Sequence, residues 1–480
     1  MTIYRNLIDG EWAEPAPETR NRNPSDLHDL VGMAPSSGRA VVANAVRAAS
    51  DAARAWGHST PEERFLVLDT AGTEVTARRE ELGHLLAREE GKPLAEAIAE
   101  VVRAARLLKF FAGEALRAGG ELVPSVRPGL TVEITREPLG VVGIISPWNF
   151  PMAIPAWKIA PALAWGNTVV FKPAENTPGC AYELVDILVR AGLPPGVLNL
   201  VYGKGSDLGA ALVSSPEVDG ISFTGSVPVG QGVVAQAATT GKRVQAEMGG
   251  KNPMVVLDDA DLELAVEVCL NGAYFSTGQR CTASSRLVVA EGIHDRFVDR
   301  LTSRMLAMRV GHALDPDTVI GPVVDERQLE QDRRYLRTAA TEGGTVIGGE
   351  LVERDTDGYF LAPALVVDTD AAATINRDEV FGPVASVIKV SGYDEALAVA
   401  NDTPFGLSSG ICTTSLSAAR HFVRHAEAGM VMVNAPTAGV DYHVPFGGTK
   451  GSSYGPKEQG SYARDFYSSV KTAYVAPGRP

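Results

Sequence analysis

The sequence predicts an α/β protein built on doubly wound, mostly parallel sheets. Between residues 141 and 239, short runs rich in β-branched residues alternate with runs of helical character. The same alternation returns between residue 253 and about residue 447. Because 480 residues exceed the length at which one hydrophobic core stops growing, we expect at least two domains.

The remaining elements are predicted from local patterns. Apolar residues between Val42 and Trp56 recur every three or four positions, which is the spacing of one helix face. A second helical region begins at Thr60, where a capping residue, a proline and two acids follow one another, and extends to about Ala118. Alternation within 121–138 predicts an exposed hairpin. The tail, 466–475, is expected to pair with that hairpin or with another subunit.

Composition excludes some classes of partner. The chain has 44 Lys and Arg and 58 Asp and Glu residues, which give a net charge of −14. This negative charge disfavours binding to nucleic acids and to anionic membranes. No uncharged apolar run reaches the length of a membrane span, and the N-terminus lacks the apolar core of a signal peptide. The four cysteines form no CxxC pair, so we expect a cytoplasmic protein without disulfides or a bound metal.

Three segments carry side chains suited to nucleophilic chemistry. Cys281 lies in a short polar segment beside Arg280, whose positive charge would lower the pKa of a reactive thiol; the alternative is a buried structural cysteine. Glu247 precedes two glycines and has the chemistry to activate water, although a solvated acid or a helix cap is the alternative. Asn149 stands between aromatic residues and prolines, where its amide would stabilise an oxyanion or simply be satisfied within a rigid loop.

Two further segments suggest a nucleotide. In 223–230 (FTGSVPVG) a strand turns into a helix with glycines at its start, a geometry that presents backbone N–H groups to phosphate. Lys172 and Glu175 follow another strand, at the edge where open sheets bind ligands, and would hydrogen-bond ribose hydroxyls. Each segment taken singly is also compatible with an ordinary strand-to-helix turn.

Taken together, these segments resemble the aldehyde dehydrogenase superfamily over almost the whole chain. The motifs that carry the likeness occur in the family's order: 147–151 (PWNFP), 223–226 (FTGS), 247–251 (EMGGK), 278–281 (GQRC), 379–383 (EVFGP) and 445–448 (PFGG). The resemblance implies a Rossmann-type NAD-binding domain, an α/β catalytic domain and a small β element for oligomerisation. It divides the chain into 1–121 with 140–249, then 250–448, then 122–139 with 464–480.

The resemblance also implies roles for individual residues. Cys281 would be the nucleophile, Asn149 with the Cys281 backbone N–H the oxyanion hole, and Glu247 the general base that hydrolyses a thioester. Lys158 matches a family lysine near the catalytic water, and a packing or ion-pair role is the alternative. No metal is implied.

For the cofactor, the likeness places Lys172 and Glu175 at the adenosine ribose, and Glu379 with Phe381 at the nicotinamide ribose. A carboxylate at Glu175 would repel a 2′-phosphate, which favours NAD over NADP while leaving weaker NADP use open. The remaining implied contacts lie in the adenine and pyrophosphate region and along the same cleft: Ser146, Pro147, Trp148, Gly205, Gly209, Gly225, Ser226 and Gly230.

The resemblance implies an aldehyde substrate, and the chain looks most like bacterial α-ketoglutarate semialdehyde (2,5-dioxopentanoate) dehydrogenases. Arg280 and His443 are candidates for binding a substrate carboxylate, whereas Trp157 and Phe446 would suit an aliphatic or aromatic aldehyde. A coenzyme A-acylating dehydrogenase and a non-catalytic binding protein of the same fold are further alternatives. The family resemblance implies a homodimer or homotetramer.

Overall fold

The computed structural model describes residues 2–16 and 18–477 and confirms the predicted α/β class. Two large sheets, of eight and seven strands, carry most of the chain. Met1, Pro17 and residues 478–480, which the predicted domain boundaries include, lie outside the described residues. Among the residues described, no helix combines the length and apolar character needed to cross a membrane.

The eight-stranded sheet has a parallel core of five strands. Across the sheet these run in the order Arg243–Glu247, Gly220–Thr224, Val141–Ile145, Thr168–Lys172 and Leu198–Leu200. Ser453–Tyr454 extends one edge, and Leu7–Ile8 with Glu11–Trp12 extends the other. The chain order reverses between Gly220–Thr224 and Val141–Ile145, and such a switch point opens a ligand crevice at the carboxyl ends of the strands.

Helices cover both faces of this sheet. Val142 and Ile144 belong to one hydrophobic core, whereas Val141 and Ile145 belong to another, as expected for a parallel strand buried on both sides. The helices are Arg39–Gly57, Ala153–Ala164, Pro178–Arg190, Ala210–Ser214 after a π turn at Gly205–Gly209, and Val227–Ala238. At the start of the helix Pro178–Arg190, the distant Glu89 carboxylate accepts hydrogen bonds from the N–H groups of Gly179 and Cys180, both at 2.8 Å.

The seven-stranded sheet forms a second α/β unit. Its strands run in the order Thr345–Gly348, Ala364–Val367, Val384–Val390, Arg286–Ala290, Pro253–Val256, Ser408–Cys412 and Met430–Val433, all parallel except the first pair. Its helices are Leu262–Tyr274, Glu291–Leu306, Glu326–Thr341, Thr374–Arg377, Tyr393–Asn401 and Leu416–His425.

The N-terminal helical region consists of three helices, Pro61–Ala77, Arg79–Glu90 and Leu94–Leu116. The predicted start is confirmed, because the Thr60 hydroxyl accepts the Glu63 N–H and the Glu63 carboxylate accepts the Thr60 N–H. Gly91, with a φ of 88°, ends the second helix.

The hairpin and the tail form a separate three-stranded sheet. Thr131–Pro138 lies between Glu121–Pro124 and Ser468–Val475, so the tail pairs with the hairpin of its own chain. The tail strand begins at Ser468 because a short helix, Arg464–Tyr467, precedes it. Smaller elements complete the chain: a sheet of Thr2–Ile3, Thr19–Asn23 and Asp26–Ala34, a pair of Phe405–Gly406 with Thr449–Lys450, and 3₁₀ turns at Phe275–Gly278 and Ser461–Ala463.

Candidate active site

A strained turn presents Cys281. After the helix Leu262–Tyr274, Ser276 and Thr277 adopt φ values of 53° and 54°, which are uncommon for residues other than glycine. The Glu96 carboxylate holds Ser276 by accepting hydrogen bonds from its N–H at 3.1 Å and its hydroxyl at 2.5 Å. Asn252 fixes the far side of the loop, since its Nδ2 donates to the Cys281 carbonyl at 2.7 Å. Unlike the other three cysteines, Cys281 is not fully buried.

Asn149 lies against the same loop although it comes from the other sheet. It follows the strand Val141–Ile145, and its Nδ2 donates to the Gln279 carbonyl at 2.9 Å. Lys92 donates to the Asn149 carbonyl at 2.6 Å and, at the same distance, to the Glu100 carboxylate. The structure therefore brings Asn149 and Cys281 together and adds a buried ion pair that positions Asn149.

Glu247 ends the strand Arg243–Glu247 and is almost completely buried. Its carboxylate accepts a hydrogen bond from the Ser453 hydroxyl at 2.5 Å. A Cβ on Gly447 would lie 2.5 Å from the Glu247 Oε1, so glycine is needed there to leave room for the carboxylate. Burial raises the pKa of Glu247 well above its usual range, and the nearby Glu458 carboxylate raises it further, against opposing effects of Ser453, Lys457 and Lys158.

Lys158 forms an ion pair with Glu458, and neither side chain is accessible to solvent beyond 2%. Lys158 also donates to the Ser222 hydroxyl at 3.0 Å, and the Trp157 indole donates to Glu458 at 2.6 Å. Of the two roles that the sequence left open for Lys158, the structure shows the ion pair, and Lys158 and Glu458 both act electrostatically on Glu247.

The charge around Cys281 differs from the sequence-based expectation. Burial raises the pKa of Cys281 to about 12, and the Glu379 and Glu247 carboxylates add to the effect. Arg280 does not face the thiol with a free guanidinium, because its Nη2 donates to the carbonyls of Asn271 and Gly272. The raised pKa favours the thiol over the thiolate.

The residues expected at the adenosine ribose lie together at the carboxyl edge of the eight-stranded sheet. Lys172 Nζ is 3.8 Å from the Glu175 carboxylate, which also accepts the Gly205 N–H at 2.9 Å. Glu175 is exposed and thus accessible to a ligand.

The glycines of the next turn allow close packing. A Cβ on Gly225 would lie 2.6 Å from the Phe223 ring, and one on Gly230 would lie 2.4 Å from the Met248 sulfur. Ser226 is the residue before the helix Val227–Ala238. Gly209 lies nearby, where its Cβ would be 3.7 Å from Ile145. This strand-to-helix turn follows Gly220–Thr224, one side of the switch point, so the helix N-terminus faces the predicted crevice.

The residues expected at the nicotinamide also converge. The Glu379 carboxylate accepts the Gly250 N–H at 2.9 Å, and burial raises the pKa of Glu379 to about 7. Phe381, with a φ of 66°, meets Trp148 edge to face with ring centroids 5.5 Å apart. Pro147, next to Trp148, is partly exposed.

The donor set at this crevice fits a dinucleotide. The hydroxyl of Ser146 is buried without a hydrogen-bond partner among the described residues. Two carboxylates, Glu175 and Glu379, suit ribose hydroxyls. No group of three or more His, Cys, Asp or Glu side chains within the described ranges forms a metal site.

A cavity of about 380 Å³ opens over Cys281. Aromatic side chains line it, among them Phe150, Trp157, Tyr442 and Phe446. Its positive charges include Arg103 and Arg106, which sequence reasoning missed, whereas His443 is exposed and packs on Tyr442 outside the lining. The missed signal was the spacing of polar residues along one face of the helix Leu94–Leu116.

Comparison with known proteins defines the class. The model of the aldehyde dehydrogenase family matches residues 12–473. Alpha-ketoglutaric semialdehyde dehydrogenase of Bacillus subtilis (strain 168) is 42% identical over 482 residues, covering 99% of each chain. Alpha-ketoglutarate semialdehyde dehydrogenase of Haloferax volcanii is 43% identical over 476 residues, covering 98% of each chain.

Solved structures agree over the full chain. An NAD-dependent aldehyde dehydrogenase from Sinorhizobium meliloti superposes with a TM-score of 0.96 at 36% identity, covering 100% of this chain and 96% of that one. Betaine aldehyde dehydrogenase from Staphylococcus aureus, solved with NAD⁺, superposes with a TM-score of 0.95 at 34% identity, covering 98% of this chain and 95% of that one. An NADP dependent enzyme from E. coli superposes with a TM-score of 0.95 at 35% identity, covering 99% of this chain and 98% of that one.

The chain therefore belongs to the aldehyde dehydrogenase family. It is an NAD(P)-dependent aldehyde dehydrogenase.

Proposed function

We propose that the protein oxidises a small semialdehyde to a carboxylic acid, with Cys281 as nucleophile and Glu247 as general base. The observation that carries this proposal is the convergence of Cys281, Asn149 and Glu247 from two different sheets. The Asn149 amide is bonded to the loop of Cys281, and Glu247 is near enough to Cys281 to raise its pKa.

The chemistry follows from these groups. The Cys281 thiol first loses its proton to water in the open cavity. The thiolate then adds to the carbonyl carbon, and the oxyanion that forms accepts hydrogen bonds from the Asn149 Nδ2 and the Cys281 N–H. NAD, when bound, supplies the oxidising power by accepting a hydride from the substrate carbon. Glu247 then removes a proton from the water that hydrolyses the thioester on Cys281. The charges of Glu458 and Lys158 act in opposite directions on the pKa of that base.

The acidic residue at position 247 favours hydrolysis over transfer of the acyl group to coenzyme A. Acid formation without coenzyme A supports hydrolysis. If turnover instead requires coenzyme A and yields an acyl thioester, the acylating alternative holds.

For the cofactor we propose NAD as the preferred coenzyme, bound by Lys172 and Glu175 at the adenosine end. Gly205, Gly209, Gly225, Ser226 and Gly230 would approach the adenine and pyrophosphate, and Ser146, Pro147, Trp148, Glu379 and Phe381 would line the nicotinamide end. The exposed Glu175 carboxylate supports NAD because it would repel a 2′-phosphate. A kcat/KM higher with NADP than with NAD contradicts this preference.

We also propose α-ketoglutarate semialdehyde or a similar short semialdehyde as the substrate, supported by the two curated relatives named above. A homodimer or homotetramer formed through the hairpin sheet is supported by exposed apolar side chains on its strands, including Leu122, Val470 and Tyr474. Four free thiols support a reducing, cytoplasmic location.

The decisive experiment replaces the nucleophile. Cys281→Ala should abolish aldehyde oxidation while leaving the dissociation constant for NAD within a few-fold of that of the unchanged protein. Cys412→Ala, which removes a different thiol far from the cavity, should retain turnover. Full activity in Cys281→Ala would end the covalent mechanism.

A further inference from the structure

One wall of the cavity over Cys281 is a single face of the helix Leu94–Leu116. The residues of this helix that line the cavity follow helical spacing: Glu96, Ala99, Glu100, Arg103 and Arg106. Four of them are charged, two acidic and two basic.

The two acids on this wall already have partners. Glu100 accepts hydrogen bonds from the Lys92 ammonium at 2.6 Å and from the N–H groups of Met152 and Ala153 at 3.0 and 3.2 Å. Glu96 accepts both hydrogen bonds that Ser276 donates. Asp441, on the opposite loop of the lining, is the remaining carboxylate and forms no ion pair with any residue in the described ranges.

Neither arginine of this wall forms a direct ion pair among the described residues, although the Glu100 and Asp441 carboxylates act electrostatically on Arg103. Arg103 donates from Nη2 to the neutral side chain of Gln459 at 3.2 Å, and its Nε is buried without a hydrogen-bond acceptor among the described residues. Arg106 is exposed and forms no ion pair within that part of the chain. A carboxylate can bind a guanidinium that has a buried donor without an acceptor, because the carboxylate accepts two parallel hydrogen bonds.

Two of the aromatic rings that line the cavity also face cations of the chain itself. Arg103 lies over the Trp157 ring, with its Cζ 5.8 Å from the centroid. Lys92 lies over the Phe150 ring, with its Nζ 3.9 Å from the centroid. Recognition of a quaternary ammonium group requires open aromatic faces, and at these two rings a ligand cation would meet positive charge of the chain.

We propose that Arg103 binds the carboxylate of a short semialdehyde whose aldehyde group reaches Cys281, that the more exposed Arg106 attracts the same carboxylate, and that these cations reject trimethylammonium aldehydes such as betaine aldehyde. This assignment rests on the proposed aldehyde oxidation at Cys281. It makes Arg103 the residue that determines substrate specificity.

A first test needs no variant. Initial rates with α-ketoglutarate semialdehyde, its methyl ester, pentanal and betaine aldehyde separate the charge of the substrate from its size. We expect kcat/KM to be at least about tenfold higher for the acid than for the ester, and lowest for betaine aldehyde. An ester as good as the acid, or a preference for betaine aldehyde, overturns the proposal.

A second test uses three variants. Arg103→Met should lower kcat/KM for the acid by about 10- to 150-fold, mainly through KM, and change that for pentanal by less than about threefold. Arg103→Lys should recover part of the loss, because it restores the charge without the planar fork. Arg117→Met removes an exposed charge from the end of the same helix and should leave both substrates unaffected.

The ratio of kcat/KM for the acid to kcat/KM for pentanal distinguishes the possible results. Equal losses for acid and pentanal in Arg103→Met would show a packing role and overturn the assignment. If the unchanged protein oxidises none of the four aldehydes, the proposed function itself fails. If it oxidises pentanal with no selectivity for the carboxylate, only the role of Arg103 fails.

Discussion

Lys158 and Glu458 form an ion pair within the protein interior although they are 300 positions apart in the sequence. The two charges act in opposite directions on Glu247, because Glu458 raises the pKa of that carboxyl and Lys158 lowers it. The pair therefore balances the electrostatic environment of the proposed general base.

Removal of the Glu458 charge and removal of the Lys158 charge should shift the pH dependence of catalysis in opposite directions. A general base works when deprotonated, so kcat should rise with pH through the raised pKa of Glu247. Glu458→Gln should move this rise to lower pH, and Lys158→Met should move it to higher pH. Both variants leave an unpaired buried charge and should lose about 3–5 kcal/mol of unfolding free energy in urea. Shifts in the same direction would contradict this role of the pair.

Glu247→Gln should separate the two halves of the reaction. Without the base, thioester hydrolysis slows by about 10²- to 10⁴-fold, whereas the thiohemiacetal and the first molecule of NADH still form. Stopped-flow absorbance should thus record an NADH burst close to one per subunit, followed by a very slow steady state. The control is Glu427→Gln, which removes a charge from an exposed pair with Lys450. A missing burst would assign Glu247 to an earlier step.

Lys92→Met should weaken catalysis through Asn149. The substitution removes the hydrogen bond that holds the Asn149 carbonyl and leaves Glu100 buried without its counter-ion. With pentanal, a neutral substrate, we expect kcat to fall more than KM changes, because the oxyanion donor is displaced. Lys109→Met, which breaks a half-exposed pair with Asp69, is the control. An unchanged kcat together with lower stability would indicate a purely structural role.

NAD binding should depend on pH through Glu379. Because the pKa of this carboxyl is raised to about 7, it gains its charge, and with it acceptor strength for ribose hydroxyls, as the pH rises through neutrality. The dissociation constant for NAD measured by calorimetry should therefore fall over that range. Burial lowers the pKa of the neighbouring Lys251 to about 7 as well, so Glu379→Gln is needed to isolate the carboxyl. A pH dependence that survives in this variant belongs to another group.

Local patterns predicted the framework of the fold. The strands Val141–Ile145 and Thr168–Lys172 are short apolar runs because both faces of a parallel sheet are buried, and such runs are visible in the sequence. The helix start at Thr60 was equally visible, because its capping box lies within four consecutive residues.

Contacts between distant positions were not predictable from periodicity. Asn149 and Gln279, 130 positions apart, meet only because loops of two sheets pack together. The Glu89 carboxylate caps a helix that begins at Pro178, and no pattern near that proline signals its presence. Family motifs predict Cys281 and Glu247 as catalytic candidates, whereas Arg103 and Arg106 line the same cavity as Cys281 only because the fold packs the helix Leu94–Leu116 beside it.

The division of the active site between two sheets has a consequence for denaturation. Glu247 and Asn149 follow strands of the eight-stranded sheet, whereas Cys281 lies in a loop that leads into the seven-stranded sheet. A small rotation of one sheet against the other would separate the proposed nucleophile from the proposed base while both cores stay intact. We therefore expect enzyme turnover to depend on the docking of the two halves and to be lost at milder denaturing conditions than the secondary structure of either half.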